Sequence, residues 1–368
     1  MNFKRRKKII VAMSGGVDSS VAAALLKRAG FNLIGVFMKF WRDAGFSENR
    51  CCSSEAEKRA RKVAKILKIP FYVFNFEKEF KKKIVDYFLK EHKKGKTPNP
   101  CVVCNKEIKF GLFLEKALAL DADFVATGHY ARKQKIENRK QKIEYKLMKA
   151  RDKNKDQSYF LWMLNQKQLK RILFPIGDYT RSEVEKLAKK FRLPVLSAKK
   201  SVEICFISST INDFLKKNLK EKPGRIIDKK GKALGKHQGL WFYTIGQRKG
   251  MKLPSGPYYV TAKDFRKNIL IVSKNEKDLA KKELTAQNVN WIHPVKCRGA
   301  AISRDPKLFN RVKAKIRYRH EAVPATIYHL KSNIYRLIFD KPQRAITPGQ
   351  SVVFYKGDEL LGGGTIER

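Results

Sequence analysis

The sequence predicts an α/β protein with a doubly wound parallel sheet in its N-terminal part, followed by a small β-rich central domain and a C-terminal β-barrel. Two observations predict the sheet: short apolar segments alternate with helical ones up to about residue 211, and a glycine-rich turn follows the first apolar segment, Ile9–Ala12. A third observation predicts the rest. From Pro223 the helical period fades, and turn signals recur between short strands rich in Ile, Val and Tyr. We expect domains at residues 1–211, 212–284 and 285–368.

Strands and helices alternate along the first domain. Apolar segments predict three strands in addition to Ile9–Ala12, namely Asn32–Met38, Phe71–Phe76 and Asp123–Thr127. One helix should begin at the capping-box pattern Ser54-x-x-Glu57, and another should run from about Cys104 to Leu120. The charged segment Lys133–Lys146 should form an exposed hairpin. Because ligands of such sheets bind beyond the carboxyl ends of the strands, the loops that follow these ends are expected to form the site.

The turn after the first strand, Ser14–Ser19, has the composition of an anion-binding site. Its sequence is SGGVDS, in which Gly15 and Gly16 permit unusual backbone angles and the close approach of a ligand. Asp18 and Ser19 are suitable N-caps for the helix that follows, whose first N–H groups and positive dipole end attract anions. No lysine follows the glycines, which excludes a phosphate loop of the GxxxxGK[ST] type. A tight turn without a ligand is the alternative.

The charge of the chain predicts a polyanionic partner. Lys and Arg number 82 against 34 Asp and Glu, which gives a formal net charge of +48. Nucleic acid is the simplest such partner. Lysine enrichment from a biased genomic base composition is an alternative, because the lysines are scattered along the whole chain. No apolar segment approaches the roughly 18 residues of a membrane span, and no signal peptide is evident, so we expect a cytoplasmic protein with no membrane partner.

Six cysteines favour thiol chemistry or metal binding over a disulfide framework. They are Cys51, Cys52, Cys101, Cys104, Cys205 and Cys297. The break at Thr97–Pro100 puts Cys101 and Cys104 at the start of a helix, where the first N–H groups and the dipole stabilise a thiolate. This position predicts a reactive Cys104. A redox pair or half of a structural metal site is also compatible with Cys-x-x-Cys, and an isolated Cys205 between apolar neighbours is compatible with an inert buried residue.

A series of motifs then resembles one known family. SGGVDSS, TPNPCVVCNKEIKF, ATGHY, NKDQSYFL, ICFI, GLWFYTIGQRKG, RYR and TPGQ follow one another in this order. The first alone resembles the PP-loop ATP pyrophosphatases, and the ordered set resembles the bacterial tRNA-specific 2-thiouridylases along almost the whole chain. The resemblance implies a PP-loop domain, a central domain and a tRNA-contacting barrel. It also implies adenylation of the C2 oxygen of the wobble uridine (position 34) in tRNA, followed by transfer of a persulfide sulfur.

The resemblance implies a role for each matching residue. Cys205 would carry the persulfide, and Cys104 would be the nucleophile that closes a transient disulfide with it. The residues that bind ATP would be Ala12, Met13, Ser14, Gly15, Gly16, Val17, Asp18, Ser19, Met38 and Gly128. Those that contact the target base would be Asn99, Pro100 and Cys101. Those that contact the tRNA would be His129, Lys155, Asp156, Gln157, Arg317, Tyr318 and Gln350. Mg²⁺ would bind with ATP near Asp18. The tRNA would bind through its anticodon stem-loop, and a sulfur-relay protein would supply the sulfur. The enzyme would be a monomer.

Cys101 departs from the pattern of the family, because many members carry Asp at this position as a candidate general acid or base. The departure leaves three cysteines, Cys101, Cys104 and Cys205, that could hold an iron–sulfur cluster as another route to the same product. Another PP-loop tRNA-modifying ligase is a further alternative, although such ligases use an amine nucleophile and need no paired cysteines. A non-catalytic RNA-binding protein would explain the charge but not the SGGVDS turn.

Overall fold

The computed structural model describes residues 6–43, 53–137, 141–195, 204–293 and 311–367. Cys51, Cys52 and Cys297 lie outside these ranges. No helix within them is long and apolar enough to cross a membrane.

The described residues form nine α-helices and seventeen strands. The helices are α1 (Val17–Arg28), α2 (Ser54–Ile66), α3 (Glu77–Phe80), α4 (Asp86–Lys93), α5 (Pro100–Cys104), α6 (Phe113–Ala119), α7 (Gln166–Arg171), α8 (Arg181–Lys190) and α9 (Ile211–Asn218). The strands are β1 (Lys8–Ala12), β2 (Asn32–Lys39), β3 (Phe71–Asn75), β4 (Phe124–Ala126), β5 (Ala131–Glu137), β6 (Ile143–Lys149), β7 (Ile172–Leu173), β8 (Gly224–Asp228), β9 (Ala233–His237), β10 (Tyr259–Asp264), β11 (Ile269–Ser273), β12 (Ala280–Trp291), β13 (Arg311–Lys315), β14 (Val323–Lys331), β15 (Ile334–Arg344), β16 (Ser351–Lys356) and β17 (Glu359–Ile366).

Five parallel strands form the sheet of the N-terminal part, in the order β3-β2-β1-β4-β7. The central strand β1 is buried, and its residues Ile9, Ile10 and Val11 have no exposed surface. A strand buried in this way is typical of a parallel sheet covered on both faces. The predicted doubly wound sheet is therefore confirmed. Its edge strand β7 has only two residues, which left no pattern in the sequence to detect.

Two helix starts differ from the prediction. α1 begins at Val17 and its N-cap is Gly16, so Asp18 and Ser19 lie inside the first turn instead of capping it. α2 is capped one residue earlier than expected, because the Ser53 hydroxyl, not that of Ser54, accepts a hydrogen bond from the Ala56 amide. In both cases the cap residue has an extended backbone conformation, and the residues after it are helical.

The helix that carries the cysteine pair begins four residues before the predicted start. α5 opens at Pro100, whose fixed backbone angle suits the first helical position. Asn105–Leu112 follows as a π-helical segment and leads into α6. Gly111 fits this wider winding, because a Cβ atom there would lie 2.8 Å from the Lys106 carbonyl oxygen. Further along the chain, Ser158–Leu161 forms a 3₁₀ turn.

The C-terminal half is built from strands, as predicted. The central sheet has the order β10-β11-β8-β9. Strands β12-β15-β14-β13-β16-β17 follow one another in the second sheet, and pairing of β12 with β17 closes them into a six-stranded barrel. In β13 the side chains of Val312 and Ala314 are buried between exposed basic neighbours. The boundary predicted between residues 284 and 285 falls within β12, and the domain limits stay a prediction.

The predicted hairpin of the N-terminal part extends the barrel. β5 and β6 pair with each other, and Leu147 of β6 pairs with Leu360 of β17. Both leucines are fully buried. The hairpin thus joins the parallel-sheet part to the barrel through a shared sheet and a shared core.

Candidate active site

A cavity of about 280 Å³ lies beyond the carboxyl ends of β1, β2 and β4. The predicted ATP-binding residues in its lining are Ala12, Met13, Ser14, Asp18, Ser19, Met38 and Gly128. The lining also contains Pro100, Cys101, Cys104, His129, Gln157 and Cys205. Gly15, Gly16 and Val17 are not in it. The cavity therefore brings the glycine-rich turn together with Cys104 and Cys205, although these cysteines lie about 90 and 190 residues from the turn in sequence.

The three glycines of the site differ in what a Cβ atom would meet. Gly15 has φ +72°, and a Cβ atom there would lie 2.1 Å from the Ala56 carbonyl oxygen, so this glycine lets α2 pack against the turn. A Cβ atom on Gly128 would lie 2.6 Å from the Ser19 amide nitrogen, so Gly128 lets β4 approach the start of α1. Gly16 has an ordinary φ and its Cβ atom would meet nothing closer than 3.5 Å. Packing inside the protein does not require a glycine at position 16.

Hydrogen bonds fix the serines of the turn. The Ser14 amide donates to the Ser19 hydroxyl at 3.1 Å, and that hydroxyl donates to the Gly16 carbonyl oxygen at 3.1 Å. The two hydroxyl oxygens of Ser14 and Ser19 are 3.2 Å apart. Both hydroxyls face the cavity next to the N-terminus of α1, where a phosphate group would meet hydroxyl and amide donors together.

Asp18 is held by two donors. The Tyr130 hydroxyl and Nη1 of Arg181 each lie 2.7 Å from the same oxygen, Oδ1. Burial, and next the negative charge of Asp18, raise the pKa of Tyr130, so its hydroxyl stays protonated and donates. Mg²⁺ at nucleotide sites is usually held by one or two carboxylates together with phosphate oxygens. One fixed carboxylate in the cavity therefore fits Mg²⁺ bound with a nucleotide.

His129 is neutral at physiological pH. Its side chain is buried, and Nδ1 lies 2.8 Å from the Thr127 hydroxyl oxygen. Burial, and next the positive charge of Lys109, hold the pKa of His129 well below its usual 6.5. A neutral imidazole in the cavity wall can recognise a ligand by hydrogen bonding but not by charge.

The cysteine-bearing segments reach the cavity from two sides. α5 contributes Cys101 and Cys104, and the segment after residue 203 contributes Cys205. Phe206 anchors the second segment, because its ring packs edge-on against Phe80 and Phe88 at centroid distances of 5.9 and 5.5 Å. Cys104 is buried, whereas Cys101 and Cys205 are partly exposed to the cavity. A small electrophile in the cavity can therefore meet cysteine side chains from both segments.

The three cysteines do not form a metal-binding group. Among the residues that the structure describes, no set of three or more His, Cys, Asp or Glu side chains is placed to hold a metal ion. Cys101, Cys104 and Cys205 share the cavity but do not meet this condition. The described residues thus show no assembled metal site, and the iron–sulfur alternative stays a prediction.

Family models and full-length relatives match this chain. The models are described as tRNA methyl transferase HUP domain over residues 7–209, tRNA methyl transferase PRC-barrel domain over 212–274, and aminomethyltransferase beta-barrel domain over 281–366. A tRNA-specific 2-thiouridylase MnmA from Moorella thermoacetica is 48% identical and covers 97% of this chain and 99% of the relative. One from Clostridioides difficile is 46% identical and covers 98% of both. The chain belongs to the MnmA family of tRNA-specific 2-thiouridylases.

Membership of the MnmA family confirms the predicted family and fold. The descriptions of the family models mention methyl transfer. The relatives that match along almost the whole chain are named thiouridylases, whereas each family model matches only one part of it. A crystal structure of a 4-thiouridine synthetase–RNA complex with bound ATP aligns with 57% of this chain and 50% of its own, at 17% identity and a TM-score of 0.34. This partial overlap carries no functional argument.

The predicted tRNA contacts of this MnmA-family chain lie in two different settings. Lys155 is exposed, whereas the buried Asp156 carboxylate accepts hydrogen bonds from the Ala150 amide and from the amide and hydroxyl of Ser158. The Gln157 side-chain oxygen accepts from the Tyr130 amide, so this side chain links the cavity wall to the loop. Only Lys155 of the three presents its side chain fully to solvent.

The barrel contributes the other predicted contacts. Arg317 is partly buried and donates to the Ala345 carbonyl oxygen at 2.6 Å. The Tyr318 ring packs on Phe160 at a centroid distance of 4.4 Å. Gln350 donates to the Thr97 carbonyl oxygen at 2.9 Å, at the entrance to α5. These three side chains connect barrel loops to each other or to the first part of the chain.

Sequence reasoning did not find two residues of the site. In the sequence Tyr130 is only the last residue of the motif ATGHY, and Arg181 lies 163 residues after its partner Asp18. Arg181 occupies the first position of α8, where a basic residue carries no signal of a ligand site. One sequence signal could have indicated Tyr130: the motif ATGHY lies at the end of a predicted strand, at the carboxyl edge of the sheet where ligands are expected to bind.

Proposed function

We propose that this chain catalyses the ATP-dependent 2-thiolation of the wobble uridine (position 34) in tRNA anticodons, as a tRNA-uridine 2-sulfurtransferase. One observation carries the proposal: the glycine-rich turn, Cys104 and Cys205 line a single cavity. An enzyme that only adenylates would need no cysteine there, and a redox pair would need no anion site. The names of the full-length relatives support the same reaction.

The first step activates the uridine. The residues proposed to bind ATP are Ala12–Ser19, Met38 and Gly128. No packing contact requires a glycine at position 16, and the missing side chain leaves room for a nucleotide beside the start of α1. The uracil C2 oxygen attacks the α-phosphorus of ATP, a P–O bond forms, and pyrophosphate leaves. Mg²⁺ bound with ATP would be held by Asp18 and would neutralise phosphate charge. The poor leaving group at C2 thereby becomes a good one, AMP.

The second step transfers sulfur. The terminal sulfur of a persulfide on Cys205 bonds to C2, and AMP leaves with the former C2 oxygen. Attack of the Cys104 thiolate on the Cys205 sulfur then breaks the bond to the transferred sulfur. The products are 2-thiouridine and a Cys104–Cys205 disulfide, which a thiol reductant must reopen before the next cycle. The positions of both cysteines in one cavity support this exchange.

The target base must leave the anticodon loop to reach the cavity. We propose that Pro100 and Cys101, which line this cavity, contact it together with Asn99, the residue directly before α5. His129, Lys155–Gln157, Arg317, Tyr318 and Gln350 are proposed to contact the tRNA. A neutral His129 suits a base edge better than a phosphate. The net charge of +48 supplies the attraction to the RNA backbone.

The sulfur has to come from outside this chain. We propose that a sulfur-relay protein loads Cys205, and that the enzyme acts as a monomer in the cytoplasm, where its tRNA substrate is found. We keep residues 1–211, 212–284 and 285–368 as the proposed catalytic, central and tRNA-contacting domains. The partial exposure of Cys205 supports access by a donor.

Nucleoside mass analysis tests the proposal. The protein, ATP, Mg²⁺, tRNA and a persulfide donor should yield 2-thiouridine, and omission of ATP should abolish it. Cys104→Ser and Cys205→Ser should each abolish the product while tRNA binding is retained. Cys101→Ser is the comparison in the same cavity: Cys101 is proposed to contact the base but not to carry sulfur, so this variant should form product more slowly without losing it. Full thiolation by either of the first two variants would contradict the two-cysteine scheme, and loss with all three would revive a three-cysteine centre.

A further inference from the structure

A second cavity lies on the other side of α5. It has a volume of about 360 Å³, within the range of small-ligand sites. One wall comes from α5 and the residues that flank it, including Asn99, Val102 and Lys106. The opposite wall comes from the barrel, including Asn288, Asn290 and Asn333. We call this cavity the seam cleft.

The short helix α5 separates the seam cleft from the active-site cavity. Pro100, Cys101 and Cys104 line the active-site cavity, whereas Val102 and Val103 line the seam cleft. An α-helix is about 10 Å across. A ligand bound in one cavity is therefore one helix width from a ligand in the other, a distance that neighbouring nucleotides of one RNA strand can bridge.

A β-bulge exposes the barrel side of the seam cleft. The pairing of β12 with β17 shifts register between Gln287 and Asn290, and Asn288 has φ +53°. Asparagine tolerates this left-handed backbone conformation better than most residues. Bulges of this kind redirect side chains at the rims of barrels. Here the bulge brings the exposed amide of Asn288 to the cleft.

The chemistry of the seam cleft suits a nucleobase. Its amide side chains offer both donors and acceptors to a base edge, and the partly exposed side chains of Val103 and Met163 offer apolar surface to a base face. Asn290 is already oriented, because its side-chain nitrogen donates to the carbonyl oxygens of Trp162 and Leu164 at 2.7 and 3.0 Å. Lys106 supplies a cation for the adjoining phosphate. None of the described residues that line the cleft is acidic.

We propose that the seam cleft binds the base of the nucleotide next to the target uridine in the anticodon loop. This inference rests on the proposed function and names a second nucleotide site for the same substrate. With the target base in one cavity and the neighbouring base in the other, α5 lies between two consecutive bases of the RNA. Asn288 and its amide neighbours thereby contribute to the choice of tRNA.

A double-mutant cycle between protein and RNA tests this inference. The probe is an anticodon stem-loop RNA, either intact or with an abasic residue directly before or after the target. Asn288→Gly removes the amide and keeps the left-handed backbone accessible. Asn32→Ala is the matched control, because Asn32 is an exposed asparagine at the start of β2, at the opposite end of the sheet from the site.

We expect wild-type affinity for one of the two abasic RNAs to fall about tenfold, the loss that one or two base hydrogen bonds produce. Asn288→Gly should lower affinity for intact RNA by a similar factor and bind that abasic RNA as wild type does. Asn32→Ala should bind all three RNAs as wild type does. Two results would show that the seam cleft does not hold a neighbouring base. In one, neither abasic residue lowers the affinity. In the other, the fold-loss of affinity from the abasic residue and the fold-loss from Asn288→Gly multiply when the two changes are combined. Failure of wild type to thiolate any intact anticodon RNA would instead refute the proposed function.

Discussion

The contact between Gly128 and the start of α1 gives a sharp prediction. In Gly128→Ala the new Cβ atom would lie 2.6 Å from the Ser19 amide nitrogen and 2.7 Å from the Asp18 carbonyl carbon. Both are backbone atoms, which cannot rotate away as a side chain can. Ordinary contact begins at about 3.4 Å. The loop after β4 and the first turn of α1 must therefore separate by somewhat less than 1 Å.

The expected magnitude follows from this displacement. Overpacking of a well-packed site costs about 1–3 kcal/mol of stability. The displaced turn carries Asp18 and Ser19, and a misplacement of about 1 Å can slow a reaction about a hundredfold. We expect Gly128→Ala to slow tRNA-dependent release of pyrophosphate from ATP between about tenfold and a hundredfold.

The assay needs a variant that loses stability without moving the turn. Gly30→Ala serves, because Gly30 follows the other end of α1, has φ +82° and would have no atom within 4 Å of its Cβ. Its cost is backbone strain of about 1 kcal/mol. Both variants should melt at lower temperature, but only Gly128→Ala should weaken ATP binding in calorimetry and slow pyrophosphate release. Wild-type kinetics in Gly128→Ala, or equal impairment in Gly30→Ala, would refute the reasoning.

Three further predictions concern other contacts. Burial lowers the pKa of His92 from 6.5 to about 4, so between these pH values the unfolded chain binds a proton that the folded chain does not. The free energy of unfolding should therefore fall by about 2 kcal/mol between pH 7 and 5. Urea unfolding of His92→Asn should lack this pH-dependent loss. Arg181→Gln removes a donor that orients Asp18 and should weaken ATP binding about tenfold with Mg²⁺ but little in EDTA, as measured by calorimetry. Gln350→Ala removes a hydrogen bond of about 1 kcal/mol to Thr97, so hydrogen exchange of the amides at 96–99 should accelerate about fivefold by mass spectrometry.

The sequence predicts the parallel sheet and the helix-start position of Cys104 because their signals are local. Ser14–Ser19 follows a buried strand directly, and the break before Pro100 marks the helix that carries Cys104. Such patterns need no knowledge of distant contacts. The family resemblance added Cys205, whose apolar neighbours alone indicate only burial.

Other features depend on pairings between distant residues and left no local pattern. Arg181 reaches Asp18 across 163 positions, and Leu147 pairs with Leu360 to join the hairpin to the barrel. The glycine pattern was correct as a sign of close approach, but at Gly15 and Gly128 the approaching groups are α2 and α1, not a ligand. Only contacts between elements reveal which surface a glycine accommodates.

Thr97 connects the first part of the chain to both the central part and the barrel. Its amide donates to the Pro348 carbonyl oxygen at 2.8 Å, and its carbonyl oxygen accepts from Gln350 of the barrel. Its hydroxyl lies 3.2 Å from that of Thr244 in the central part. α5 begins three residues later and carries Cys101 and Cys104, so the three parts jointly fix the direction in which this helix enters the active-site cavity. If tRNA binds the barrel at Gln350 as proposed, it contacts a residue that also anchors the cysteine helix, so its binding would affect the position of this helix.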